Sequence, residues 1–265
     1  MRITYTLLII LFYLTACSGD TATKSVPITE NIVAVEKTQT DNLAIPDNRF
    51  SNSYEVLIFG NSHTSGVDTL IETLIKEGNP EAEINLVNAN GGFLDNISQE
   101  RKSLLENSPW THIILQGQKY SQSGRSIYPT TAAEMWIELA KKHKITPILF
   151  PEHPQKGNVE EGTRVHRIHT GIAAIQNSCV APVGLTWDRV ILLEPRLVLH
   201  RLDGNHATNL GNLLTAYVFY EVITGKSADL LPFIEKIKVE EDIQYFLKQQ
   251  ASETIQSNQP CIFEK

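Results

Sequence analysis

The sequence predicts an α/β fold in which a central parallel sheet lies between two layers of helices. From residue 54 onwards, short apolar runs alternate with longer amphipathic segments. Strands that alternate with helices of this length form βαβ units, and their crossovers make the strands parallel. This part of the chain has roughly 210 residues, which suits one domain with a single core. We therefore expect one three-layer αβα domain over residues 54–265.

Each predicted element follows from its pattern. Five runs of apolar and β-branched residues end at turn residues and predict strands at 55–60, 82–89, 111–117, 145–150 and 179–184. Apolar residues at helical spacing predict helices at 67–77, 94–106, 132–143, 161–177, 207–225 and 239–250. In the third helix we expect Met135, Leu139 and Ala140 to face the core. Trp187 is expected to begin a further helix and to lie in the core.

The first 53 residues predict a targeting segment and a tether. Arg2 precedes an apolar run, and the following LTAC, which ends at Cys17, resembles a bacterial lipobox. We expect residues 1–16 to be a signal peptide, Cys17 to be lipidated and residues 17–53 to be a flexible tether without an apolar period. Ser18, in place of an aspartate, favours the outer membrane of a Gram-negative bacterium. The alternative is an ordinary signal peptide with an incidental cysteine.

Charge and cysteine content restrict the partners. The net charge is −7 and no cluster of Lys and Arg is present, which argues against nucleic acid as a partner. Cys179 and Cys261 are left in the exported chain and either pair or remain free. His166 and His169 lie on one helical face, but no further ligand has a fixed spacing. We expect neither a metal nor a cofactor.

One serine stands where the first predicted strand ends, in YEVLIFGNSHTSG. Functional groups of parallel sheets gather beyond the carboxyl ends of the strands, which is the position of Ser62. A serine nucleophile needs a base that a third group holds in place. Asp203 precedes His206 by three residues, just before a predicted helix, and suits these two roles. The alternative is that both are turn residues without a partner.

A serine hydrolase also needs donors that bind the oxyanion of its intermediate. The backbone N–H of Ser62 is one candidate. After the second strand, NANGGF offers the N–H of Gly92 or, less favourably, that of Gly91. After the third strand, LQGQ offers the side-chain amide of Gln118. Asn61, Glu152 and His153 also follow strands and are expected to line the pocket.

These four segments, in this order, resemble the four sequence blocks of the SGNH/GDSL hydrolase superfamily over about residues 54–225. The resemblance implies a flavodoxin-like fold, Ser62 as nucleophile, His206 and Asp203 as its partners, and Gly92 and Gln118 as oxyanion donors. Two positions depart from the pattern. Asn61 replaces an aspartate, and Gln118 replaces an asparagine, so its longer side chain displaces the donor and leaves Gln116 as the alternative.

The resemblance implies a serine esterase that hydrolyses carboxylic esters, with acetyl or short acyl groups on carbohydrates as expected substrates. Two alternatives remain open. The same triad would serve an acyltransferase, and a degenerate site would leave an envelope lipoprotein that binds glycan without catalysis. In each case the lipid anchor is the expected link to the membrane.

Overall fold

The computed structural model describes residues 42–263 and has the predicted αβα architecture. Its parallel strands are β1 (Ser53–Gly60), β2 (Glu83–Asn90), β3 (His112–Leu115), β4 (Thr146–Leu149) and β5 (Cys179–Val180). Their order in the sheet is β2-β1-β3-β4-β5. This is the flavodoxin-like order, in which β2 lies on one side of β1 and the later strands are added on the other side. The prediction of the fold class is confirmed.

Seven α-helices flank the sheet in the described part of the chain. They are α1 (Val67–Gly78), α2 (Gln99–Glu106), α3 (Thr131–Lys142), α4 (Glu161–Ile175), α5 (Val183–Leu193), α6 (Asn209–Thr224) and α7 (Glu241–Ser257). Several boundaries differ from the prediction. The last helix extends to Ser257 instead of ending at residue 250, and the strand predicted at 179–184 ends at Val180, because α5 begins at Val183. The helix expected from residue 94 begins at Gln99, because the Ser98 hydroxyl accepts the N–H of Arg101 and caps it there. Trp187 lies inside α5 instead of at its start, and it is fully buried as expected.

The sheet buries both of its faces. Along β1, Val56 and Ile58 belong to one apolar cluster, whereas Leu57 and Phe59 belong to the cluster on the other side. Successive side chains of a strand point to opposite faces, and a parallel sheet covered by helices on both sides therefore reads as a continuous apolar run.

The buried face of α3 is displaced from the predicted one. Ala140 is buried as expected, but Trp136 and Ile137 fill the core, and Met135 and Leu139 are only partly buried. The indole N–H of Trp136 donates to the carbonyl oxygen of Leu94 at 2.9 Å, which gives the buried ring its polar partner. The tryptophan thus decides which side of α3 faces the sheet.

The contacts of the domain begin before residue 54. The Asn48 side chain donates to the carbonyl oxygens of Thr111 and Lys144 at 2.9 and 3.0 Å, and Ile45 is buried. Residues 42–53, which the sequence assigns to the tether, therefore pack on the domain. The predicted signal peptide, the lipidated Cys17 and the tether up to residue 41 lie outside the described residues.

The C-terminal segment covers the edge of the sheet. Cys179 in β5 and Cys261 form a disulfide, and the N–H of Val180 donates to the carbonyl oxygen of Pro260 at 2.7 Å. The edge strand thus has a backbone partner, which removes a site for pairing with another chain. The question of pairing that the sequence leaves open is decided in favour of the disulfide.

Among residues 42–263, no helix combines the length and the apolar content that crossing a bilayer requires.

Candidate active site

An open cleft of about 940 Å³ lies at the carboxyl edge of the sheet. The loops that follow β1, β2, β3 and β4 and the loop that precedes α6 surround it. Its lining is polar and aromatic and includes Asn61, Ser62, Phe93, Gln118, Tyr120, Tyr128, Glu152, Gln155, Asn205 and His206. Most of the residues singled out in the sequence therefore meet in one place.

Three of these side chains form a hydrogen-bonded line. Ser62 Oγ lies 2.8 Å from His206 Nε2, and His206 Nδ1 lies 2.8 Å from Asp203 Oδ2. Asp203 Oδ1 accepts the backbone N–H groups of His206 and Asn205, each at 2.9 Å. These two N–H groups, together with the imidazole, hold the pKa of Asp203 well below its usual range. The aspartate stays ionised and can accept a hydrogen bond from the imidazole only through Nδ1, which is the arrangement that leaves Nε2 to accept from Ser62.

The turn that carries Ser62 is built by its neighbours. Asn61 caps a short 3-10 turn (Ser62–Thr64), because its Oδ1 accepts the N–H of His63 at 3.0 Å. Gly60 precedes it at a crowded position. A Cβ on Gly60 would lie 2.5 Å from Thr64 Cγ2 and 2.7 Å from Gln116 Oε1. The strand therefore ends in glycine because two neighbouring side chains occupy the space of a Cβ.

The loop that carries Asp203 and His206 is held by a backbone bridge at its base and by hydrogen bonds from the segment after β4. An antiparallel bridge joins His200 to Ala207, just before α6 begins. From the segment after β4, the Lys156 N–H donates to the carbonyl oxygen of Gly204 at 2.8 Å. The imidazole of His153 donates to the carbonyl oxygen of Asn205 from Nε2 at 2.9 Å. The segment that follows β4 thus fixes the position of this loop relative to the sheet.

His153 does not line the cleft, and the expectation that it does is wrong. It is 3% exposed and stacks on Trp187, with the ring centres 4.0 Å apart. Burial in particular lowers the pKa of His153 to about 3, so it supports the loop as a neutral group. Asn61 and Glu152, by contrast, do line the cleft.

The predicted oxyanion donors differ in their availability. The N–H of Ser62 donates to no residue within 42–263. The N–H groups of Gly92 and Gly91 both donate to the carbonyl oxygen of Gly60, at 3.0 and 3.1 Å. The Gln118 amide donates to the carbonyl oxygens of Lys119 and Pro129, at 2.9 and 3.0 Å. The structure thus leaves one of the three expected donors without a protein acceptor.

Gln116, the alternative donor, is occupied as well. Its buried amide donates to Glu152 Oε2 at 2.6 Å and accepts the N–H of Asn61 at 2.8 Å. Sequence reasoning considered Gln116 only as a donor to substrate and gave no role to Tyr120, which contacts Glu152 and Glu161. The available signal was the position of Gln116, a polar residue at the end of an apolar strand.

The two helix histidines form no metal site. His169 is buried in α4, and its Nδ1 donates to the carbonyl oxygen of Val165 at 2.8 Å. Over residues 42–263, no group of three or more His, Cys, Asp or Glu side chains is arranged to hold a metal ion.

Comparison with known proteins yields structural matches only. No protein-family model matches the chain, and no curated protein matches its sequence. A DUF4886 family protein from Bacteroides uniformis superposes with a TM-score of 0.60 at 13% identity, over 80% of this chain and 98% of its own. For a putative SGNH hydrolase from Slackia heliotrinireducens the TM-score is 0.51 at 20% identity, over 64% of this chain and 98% of its own.

A third match is a catalytic mutant of Axe2, an acetylxylan esterase from Geobacillus stearothermophilus. It superposes with a TM-score of 0.53 at 15% identity, over 64% of this chain and 94% of its own. Identities this low establish the fold alone. The protein described here has the three-layer fold of the SGNH hydrolases.

Replacing Gly60 with alanine should destabilise the domain by about 1–3 kcal/mol, because the new methyl group overlaps Thr64 and Gln116. Gly171 in α4 is a matched control, since no atom lies within 4 Å of an added Cβ. Gly171→Ala should stabilise the helix by about 0.5–1 kcal/mol. Urea unfolding of both variants measures the difference, and equal effects on the two would contradict the crowding at Gly60.

Burial of His153 makes the stability depend on pH. The ordinary pKa of histidine is 6.5 and that of folded His153 is about 3, so between these values only the unfolded chain binds this proton. The free energy of unfolding therefore falls as the pH decreases. Between about pH 6 and pH 4, the free energy of unfolding of the wild type should fall by about 1.4 kcal/mol per pH unit more than that of His153→Gln. Urea unfolding over this pH range tests this, and parallel curves would refute a neutral buried His153.

Proposed function

We propose that the protein is a serine esterase of the SGNH type. The observation that carries the proposal is the hydrogen-bonded line from Ser62 through His206 to Asp203, which opens onto a cleft. A serine hydroxyl aligned in this way with an imidazole and a carboxylate is the arrangement that activates a nucleophile. The shared fold with SGNH hydrolases supports the same reaction class.

The proposed reaction uses these three residues in turn. His206 Nε2 takes the proton of Ser62 as Oγ attacks the ester carbonyl carbon, and Asp203 stabilises the imidazolium. The tetrahedral oxyanion accepts the N–H of Ser62. As the intermediate collapses, His206 gives its proton to the leaving alcohol and an acyl-enzyme remains. Water, deprotonated by His206, attacks the acyl carbon, and the proton returns to Ser62 Oγ as the acid leaves.

A carbohydrate is the alcohol that we propose. The cleft contains three aromatic side chains, Phe93, Tyr120 and Tyr128, among amides, hydroxyls and a carboxylate. Aromatic faces cover the apolar faces of sugar rings, and polar groups bind their hydroxyls. We propose an acetyl group as the acyl part of the ester, because a protein that shares the fold is an acetylxylan esterase.

The occupied donors favour a second candidate, a lipoprotein that binds glycan without catalysis. Gly92 and Gln118 both donate to backbone carbonyls, so only the N–H of Ser62 is ready for an oxyanion. One oxyanion donor contributes about 3–4 kcal/mol to transition-state binding. A protein that stabilises the oxyanion with a single donor would be a slow esterase. A protein whose donor never contacts the substrate carbonyl would bind glycan without hydrolysing it.

Labelling with a fluorophosphonate probe separates the two candidates. The esterase reacts at Ser62, so the wild type should be labelled and Ser62→Ala should not. His206→Ala should label about 10⁴-fold or more slowly, because it removes the base. Ser121→Ala is a matched control, since the Ser121 hydroxyl contacts Ser123 and no imidazole. Hydrolysis of p-nitrophenyl acetate should follow the same order, and activity that survives in Ser62→Ala would overturn the proposal.

We also propose that the enzyme works outside the cytoplasm, anchored through a lipid on Cys17. The lipobox-like LTAC supports the anchor, and the disulfide suits an oxidising compartment. In a bacterial host that processes lipoproteins and is supplied with radiolabelled palmitate, the full chain should incorporate the label and Cys17→Ala should not. The matched Cys261→Ala variant should be labelled like the wild type, and equal labelling of wild type and Cys17→Ala would contradict the anchor.

A further inference from the structure

A chain of hydrogen bonds runs from the wall of the cleft to the turn of the nucleophile. The Tyr120 hydroxyl donates to Glu152 Oε1 at 2.9 Å. The Gln116 amide donates to Glu152 Oε2 at 2.6 Å, and its Oε1 accepts the N–H of Asn61 at 2.8 Å. Since Tyr120 and Gln116 follow β3, Glu152 follows β4 and Asn61 follows β1, the chain ties three neighbouring strand ends together.

The amide of Gln116 has only one orientation that satisfies both neighbours. A backbone N–H only donates and a carboxylate only accepts, so Oε1 must face Asn61 and Nε2 must face Glu152. Gln116 is 0% exposed, so water does not replace either contact. Glu152 therefore selects the orientation in which Gln116 holds the N–H of Asn61.

The carboxylate has support of its own. The Tyr120 hydroxyl lies between Glu152 and Glu161, 2.9 Å from the first and 3.2 Å from the second. Burial, and then the charges of these two carboxylates, raise the pKa of Tyr120, so its hydroxyl keeps the proton that it donates. Glu161 Oε2 is held by the N–H of Gln155 at 2.6 Å.

We propose that Glu152, acting through Gln116, is a positioning residue for the nucleophile. The Asn61 N–H belongs to the residue that caps the turn of Ser62, so its bond to Gln116 fixes the direction of both Ser62 Oγ and the Ser62 N–H. This inference rests on the proposed esterase function. It adds a role for two residues that do not touch the reacting atoms.

Exchanging the amide and the carboxylate tests the chain. Measured at a pH high enough to keep both groups ionised, Gln116→Glu sets two carboxylates against each other and breaks the contact with Glu152. In the double variant Gln116→Glu/Glu152→Gln, the carboxylate now at position 116 accepts from Asn61 and from the new amide at position 152, whose oxygen accepts from Tyr120. The double variant thus restores every hydrogen bond with the partners reversed. Glu152→Gln alone keeps the contact with Gln116 through its oxygen and should lose less than Gln116→Glu.

We measure the rate of fluorophosphonate labelling and kcat per folded molecule. Gln116→Glu should slow both by about 10²-fold, the effect of a misplacement of about 1 Å. The double variant should recover to within about tenfold of wild type, since groups in one network are not additive. Gln256→Glu makes the same chemical change on an exposed part of α7 and should leave the rates unchanged. Equal rates for Gln116→Glu and wild type, or no recovery in the double variant, would overturn the proposal.

Amide hydrogen exchange at Asn61 gives a second readout that needs no activity. Exchange should be faster in Gln116→Glu and slow again in the double variant. If Gln116→Glu fails to fold, Glu152→Ala takes its place, because it removes the acceptor from a partly exposed position and should also speed exchange and slow labelling. Unchanged exchange and labelling in folded Glu152→Ala would refute the chain. A different result would separate the two proposals. If the wild type is never labelled, but hydrogen exchange at Asn61 is fast in Gln116→Glu and slow again in the double variant, the esterase is refuted. The hydrogen-bond chain then stands, and the positioning role of Glu152 has no reaction to serve.

Discussion

The hydrogen bond between Ser62 and His206 depends on the parallel register of the sheet. The two residues are 144 positions apart, yet their side-chain atoms lie 2.8 Å from each other. Register pairs Phe59 of β1 with Leu115 of β3, and Leu115 with Leu149 of β4, so the three strands end at one level. Ser62 leaves the end of β1, and the segment that leaves β4 reaches the loop of His206 through Lys156 and His153, so the common level of the strand ends brings the two together.

Backbone and buried polar groups then set the detail of the site. Gln116 holds the turn that carries Ser62, and His153 holds the loop that carries His206. Both side chains are almost fully buried, where an unmade hydrogen bond is costly and a made one is rigid. Such a frame suits a nucleophile, because small displacements of reacting atoms cost large factors in rate.

The fold was predictable because the buried strands of a parallel sheet appear in the sequence as continuous apolar runs. Apolar runs such as Val56–Phe59 lie where strands occur, and the alternation of strands and helices leaves few topologies. Boundaries were less predictable. Leu94 fits the apolar period of a helix, but its N–H donates to the carbonyl oxygen of Gly117, which holds residues 94–98 in a loop until Ser98 caps α2. That contact joins distant segments and leaves no local pattern.

For the site, the sequence by itself determined which reactive groups the chain carries and placed Ser62 after the first strand and Asp203 and His206 just before a helix. Serine, histidine and aspartate at these positions followed from motif and spacing. Only the tertiary structure decided which groups are free to act. The N–H of Gly92 and the amide of Gln118 suit an oxyanion by type, but nearby carbonyl oxygens already accept from them. A donor binds whichever acceptor folding brings within reach, and that distance is set by packing between segments that the sequence does not place side by side.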